Sequence, residues 1–261
     1  MAPEDNFSSQ PVTAVPEVAP QNFFRRLIGV WFSPGETFQN IGRAPGVIAP
    51  IIASIVLGLL IGVVMNQRLD IQSMMSKRFE QLVADGKMTQ EQADQQLKVA
   101  GPIAKGQMMV FAAIGNLLAA LIVAGIFKLV SLMMGADNQF KPLFAVTLYT
   151  FLAVGIISSI LFTVLLYLKD PSELSFENLG NVISSNLGSL LAMILGEKAL
   201  PKFVMSLAQR VDIFSIWIIT LLSIGYAAVS RKMKTATAAT WLIALYVVYA
   251  LIVATSSAIF G

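Results

Sequence analysis

The sequence predicts an all-α, polytopic transmembrane helical bundle of about five spans, with interfacial amphipathic helices and a helical extramembrane hairpin. Three observations carry this prediction. Apolar residues make up 56% of the 261 residues and charged residues only 13%, about half the charged share of a soluble globular domain. Five stretches of roughly 20 residues are apolar enough to cross a ~30 Å hydrocarbon core as helices. Lysines and arginines collect in the short connections, where they set orientation.

The chain opens with a tail over residues 1–20 that holds Glu4, Asp5, Glu17 and four prolines but no Lys or Arg. That composition predicts a disordered, acidic, Pro-rich segment, and it lacks the basic and apolar parts of a secretory signal. The membrane domain follows over 21–260, beginning with interfacial helices over 21–45. On a helical wheel Phe24, Leu27, Ile28 and Trp31 share one face, with Arg25, Arg26 and Gly29 opposite. Aromatics then dip into the bilayer while the arginines face headgroup phosphates. Ser33-Pro34-Gly35-Glu36 predicts a capped second helix carrying Phe38 and Ile41, stopped by Gly42.

The spans run over about 47–65, 107–130, 143–168, 213–230 and 239–260, and no Asp, Glu or Arg lies inside them. Lys128 sits near enough to the end of the second for its ammonium to reach the headgroups. Between the first two spans, the insert 67–105 reads as a helical hairpin. Ile71, Met75, Phe79 and Leu82 form its apolar stripe, Asp85-Gly86 its turn, and Thr89 with Gln92 a second capping pair. The insert 169–212 holds a loop from Asp170 to Glu177, then residues 179–195, then a helix from near Pro201. Residues 179–195 fit an interfacial helix, a re-entrant segment or a sixth span.

Five spans put Arg25, Arg26, Arg43, Lys128, Lys141, Arg231, Lys232 and Lys234 on one side. By the positive-inside rule the N-terminus is cytoplasmic and the C-terminus outside. A sixth span would divide the two short basic loops between opposite faces.

The chain contains no Cys and no His. Thiolate chemistry, disulfides, Cys/His zinc sites, axial haem histidines and Ser-His-Asp catalysis are thereby excluded. No phosphate-binding glycine loop or paired intramembrane carboxylates occur either, so neither catalysis nor a cofactor or metal is expected. A net charge of +3 gives no nucleic-acid footprint.

Candidate packing or partner-interface residues are Ser54, Gly58 and Gly62 in the first span and Asn116 and Ala120, with Ala112 and Ala124, in the second. Small residues at this spacing let backbones approach closely, either within one bundle or between copies. Asn116 reads as an interhelical hydrogen-bond partner before a pore contact. Ser158, Ser159 and Thr163 read as bonded to their own helix carbonyls. Asp212 reads as a helix cap. Trp31, Trp217, Trp241, Tyr149 and Tyr167 fit interfacial belts.

Three stretches resemble the Yip (Ypt-interacting protein) domain family of five-span membrane proteins. They are Phe32-Ser33-Pro34-Gly35-Glu36-Thr37-Phe38-Gln39-Asn40-Ile41 with Pro45, Phe140-Lys141-Pro142-Leu143-Phe144-Ala145, and Val211-Asp212-Ile213-Phe214-Ser215-Ile216-Trp217 with Gly225-Tyr226 and Ser230-Arg231-Lys232. The pattern is similar to bacterial members, which implies an inner-membrane location. The Asp-Leu-Tyr-Gly-Pro type motif of eukaryotic relatives is absent, so their binding of Rab-type GTPases is not carried over. The expected partners are the lipid bilayer and a membrane protein or second copy of the chain. The expected role is a non-enzymatic adaptor, scaffold or membrane organiser. The alternative is a small transporter or channel lined by polar groups of spans two and three.

Overall fold

A computed structural model describes residues 21–260 apart from 137, 171–173, 175–178, 180–181 and 197–198. The tail 1–20 and most of the loop expected between Asp170 and Glu177 lie outside the described residues. Among those described, ten helices follow one another: α1 (Phe23–Phe32), α2 (Pro34–Arg43), α3 (Ile48–Arg68), α4 (Ile71–Ala84), α5 (Gln90–Met133), α6 (Phe140–Leu168), α7 (Leu187–Leu195), α8 (Lys202–Arg210), α9 (Ile213–Val229) and α10 (Thr235–Phe260).

Helix α6 is the centre of the bundle, packed against α1, α2, α3, α5 and α9. Its first half is buried almost all round, from Leu143 through Val146 and Tyr149 to Val154. Residues of α1, α2, α5, α9 and α10 complete this core, among them Val30, Phe38, Phe127, Tyr226 and Leu242. A smaller cluster forms at the far end of α6, where Leu166 meets Leu69, Ile71, Met74 and Val182. Helix α10 packs on α9 and α8, and α4 on α5.

Among the described residues, four helical stretches are long and apolar enough to cross a membrane: Ile48–Arg68, Ile103–Met133, Phe140–Leu168 and Thr235–Ile259. Helix α9 is equally apolar but has 17 residues. At 1.5 Å per residue it is about 26 Å long, a little short of a ~30 Å core.

The capping pair Thr89/Gln92 is made in full, each side chain accepting from the other's backbone N–H. The second arm of the expected hairpin, however, does not end near 105. Helix α5 runs unbroken through Gly101-Pro102 for 44 residues, about 66 Å. No capping pair interrupts residues 99–107, and extending a formed helix is favoured over starting another.

The expected capping box at Ser33 is not made, since Ser33 gives α2 no side-chain bond. Ser33 is the single residue between two helices, and its N–H closes α1 by donating to the Gly29 carbonyl. Its backbone is therefore not in the extended conformation that a capping side chain needs.

Candidate functional site

The first two sequence stretches quoted above, with Gly225-Tyr226 and Ser230-Arg231-Lys232 of the third, converge at one end of the bundle, whereas Val211–Trp217 begins α9 at the other. Helix α2 lies across α9 and α6, and Phe38 and Ile41 are completely buried there. A Cβ added to Gly225 would collide with Val146 and lie 3.2 Å from the Phe38 ring. One turn further, a Cβ on Gly42 would come within 2.9 Å of Val229. Phe38 is thus a wedge seated over a glycine, which is why an aromatic in the Pro34–Ile41 stretch and Gly225 belong to one feature.

Beneath the wedge, Tyr226 stacks on Phe127 with ring centres 3.9 Å apart. The Thr147 hydroxyl donates to the Leu143 carbonyl at 2.8 Å. Its proton is therefore engaged, and the 2.7 Å contact with Tyr226 has the tyrosine as donor. The Thr147 and Tyr226 hydroxyls thus satisfy each other in this apolar setting, as low dielectric demands.

The same end holds the short connections. Lys232 Nζ donates to the Gly135 carbonyl at 2.8 Å, and Lys128 Nζ donates to the Asn138 carbonyl. Arg25, Arg43, Arg231 and Lys234 are exposed around it. At the opposite end Arg68 donates to the carbonyls of Leu166 and Lys169 and lies over the Tyr167 ring. There, Asp212 caps α9 by accepting from Ser215 N–H at 3.0 Å, as expected from sequence. It also accepts from the Ser185 hydroxyl, which ties the 169–212 insert to α9. The Tyr246 hydroxyl donates to the Arg210 carbonyl at 2.6 Å and joins α10 to the same cluster.

The small-residue ladder of α3 faces α5 within the chain. Ser54 and Gly62 are buried, and a Cβ on Gly58 would collide with the Ala112 carbonyl. Ala120 and Ala124 are fully buried, whereas Asn116 is half-buried on α5. The Ser158 hydroxyl donates to its own helix at the Gly155 carbonyl.

Helix α1 departs from its wheel. Phe24 (70% exposed), Ile28 and Phe32 form its outward row, while Arg26 (4%), Leu27 and Val30 are buried. Trp31 turns inward too, its indole N–H donating to the Ala153 carbonyl at 3.1 Å. Arg25 is exposed as expected, but Arg26 lies on the bundle side with Nε and Nη2 donating to Asn40 Oδ1 at 3.0 and 2.9 Å. The wheel assumes one buried face; α1 has two apolar faces, one against α6 and one outward. Tyr149 is buried too, lining the same cleft as Arg26 and Lys141. Arg26 and its cleft carry no signal in hydrophobic periodicity, because a buried cation breaks the pattern.

Four membrane-length apolar helices around an apolar core define an α-helical integral membrane protein. The sequence matches the Yip1 domain over residues 28–257, so the chain belongs to the Yip1 domain family. No curated protein matches it. No solved structure matches either.

Proposed function

We propose that this chain is a non-enzymatic, five-span adaptor, scaffold or organiser of the bacterial inner membrane, with a cytoplasmic N-terminus and an external C-terminus. The observation that carries the reading is the charge division between the two ends. Segments 21–47, 128–142 and 230–234 hold eight Lys and Arg against two acids, Glu36 and Asp137. Residues 48–127 and 143–229 hold ten of each sign. The described parts of the basic segments share one end, joined by the Gly42–Val229 and Lys232–Gly135 contacts. An odd number of crossings accounts for this only if α9 spans, with the bilayer thinning slightly around its 17 residues.

An adaptor needs surface left over after its own folding. The outer face of α10 supplies it, with Ile243, Val247, Val248 and Ile252 exposed on a helix whose main partners among the described residues are α8 and α9. A transport path would instead need hydroxyls of the third span turned to a shared cavity, and Ser158 is bonded to its own helix.

Reporter fusions at the C-terminus and within 169–212 test the topology, and both are expected to read as periplasmic. A cytoplasmic C-terminus would remove the five-span reading. Crosslinking in intact membranes followed by copurification tests the adaptor role. Recovery of an isolated monomer alone, with solute flux in liposomes, would replace it with the transporter.

A further inference from the structure

Arg26 is only 4% exposed, yet its partners are neutral: the Asn40 amide oxygen and the adjoining Tyr149 hydroxyl. Among the described residues no carboxylate pairs with it. Burying a cation without a counter-charge is costly, and an anion close to it offsets that cost.

The guanidinium lines a cleft of about 320 Å3, together with Lys141, Tyr149 and the chain from Pro45 to Ala49. That volume lies within the ~300–1,000 Å3 of ordinary ligand sites. Lys141, which is exposed, adds a second cation, and among the described residues no acid lines the cleft. Helix α3 begins here with Val47 in the cap position and no side-chain cap. Pro50 has no N–H and the Ile51 N–H donates to the Val47 carbonyl, so Ile48 and Ala49 are the first-turn amides left without a side-chain cap, and the positive end of a 21-residue helix lies at the cleft. Gly46 sits against Arg26 Nη1, where a Cβ would be 3.4 Å away.

We propose that this cleft binds the phosphate of an anionic phospholipid headgroup. Arginine's planar fork matches two phosphate oxygens, and lysine adds a point charge. Two cations disfavour a zwitterionic headgroup, which brings its own ammonium. A lipid source fits better than soluble phosphate because Ile48, in the cleft wall, is 73% exposed at the start of a membrane-length helix. An acyl chain would lie along such a side chain. The inference needs α3 and α6 to cross the bilayer; it does not depend on α9 crossing or on which end is cytoplasmic.

The test uses the full chain purified in detergent, with native mass spectrometry and thermal melting. The probes are phosphatidylglycerol, phosphatidylcholine with the same acyl chains, and inorganic phosphate. Phosphatidylglycerol is expected to be retained and to raise the melting temperature, with phosphatidylcholine and phosphate giving little. Lys141→Gln should weaken phosphatidylglycerol binding about tenfold, the loss of one charge-assisted contact. Arg26→Gln should weaken it further. Lys234→Gln, at the same end but outside the cleft, should bind as the unaltered chain does. Should Arg26→Gln fail to fold, Lys141→Gln against Lys234→Gln still decides. Equal losses in those two variants, or equal retention of phosphatidylcholine, would overturn the site. Protection by inorganic phosphate equal to that by the lipid would overturn the lipid source. Failure of the topology test would leave each of these outcomes unchanged.

Discussion

In a bilayer, an apolar side chain gains nothing by exchanging lipid for a neighbouring helix, so close backbone approach has to supply the attraction. At Gly58 α3 and α5 approach closely, its missing Cβ leaving room for the Ala112 carbonyl. Gly58→Ala is therefore expected to destabilise the bundle by about 1–3 kcal/mol, the range for forced overpacking, as a lower melting temperature in detergent. Gly115, on α5, has open space where its Cβ would stand. Gly115→Ala should be neutral or stabilising by up to ~1 kcal/mol, because alanine loses less backbone freedom in a helix. Equal melting of the two variants would show that α3 and α5 are not held at this contact. The spacing of Ser54, Gly58 and Gly62 is legible in the sequence because it repeats every four residues. Their partner is not, since a ladder carries no information about which helix it meets. Arg26 was illegible for a related reason: only the identity of the opposing helix decides which side of α1 is inside.

At the scale of elements, the helices that end in polar capping residues were readable to within a residue or two. Asp212 and Thr89 are the clearest, each accepting from an N–H three residues on. Thr89→Ala removes one half of a reciprocal pair and should cost about 1 kcal/mol locally. Hydrogen exchange at the amides of Gln92 and Ala93 should then quicken about fivefold, while amides of the membrane-embedded part of α5 keep their rates. A uniform change along α5 would mean that the helix unfolds as one unit. What the sequence concealed was continuity. Composition changes abruptly near residue 105, from polar to apolar, but composition reports the solvent around a helix and not its end. The polar and apolar halves of α5 form one helix, although Pro102 at their junction has no N–H to give its ladder.

For the whole molecule, the helical membrane class and the places of four membrane-length apolar helices followed from hydropathy alone, because lipid forces every crossing segment to satisfy its backbone internally. The wedge of Phe38 on Gly225 required the folded chain, since residues 187 positions apart in sequence leave no local trace of meeting. Orientation is carried by few charges. Replacing Arg231, Lys232 and Lys234 together by Gln removes three of the eight basic residues at that end. A C-terminal reporter, expected to read as periplasmic in the unaltered chain, should then give a mixed signal. An unchanged signal would assign the orienting role to the arginines of α1 and α2.

The 44 residues of α5 have a mechanical corollary. A rod about 66 Å long is roughly twice as long as the oily layer is thick, so its Gln90 end stands well clear of the surface. Anything that pushes on the Asp85-Gly86 tip has a lever whose weak point is Gly101-Pro102, where proline gives the ladder no N–H, and the fulcrum is the Gly58 crossing.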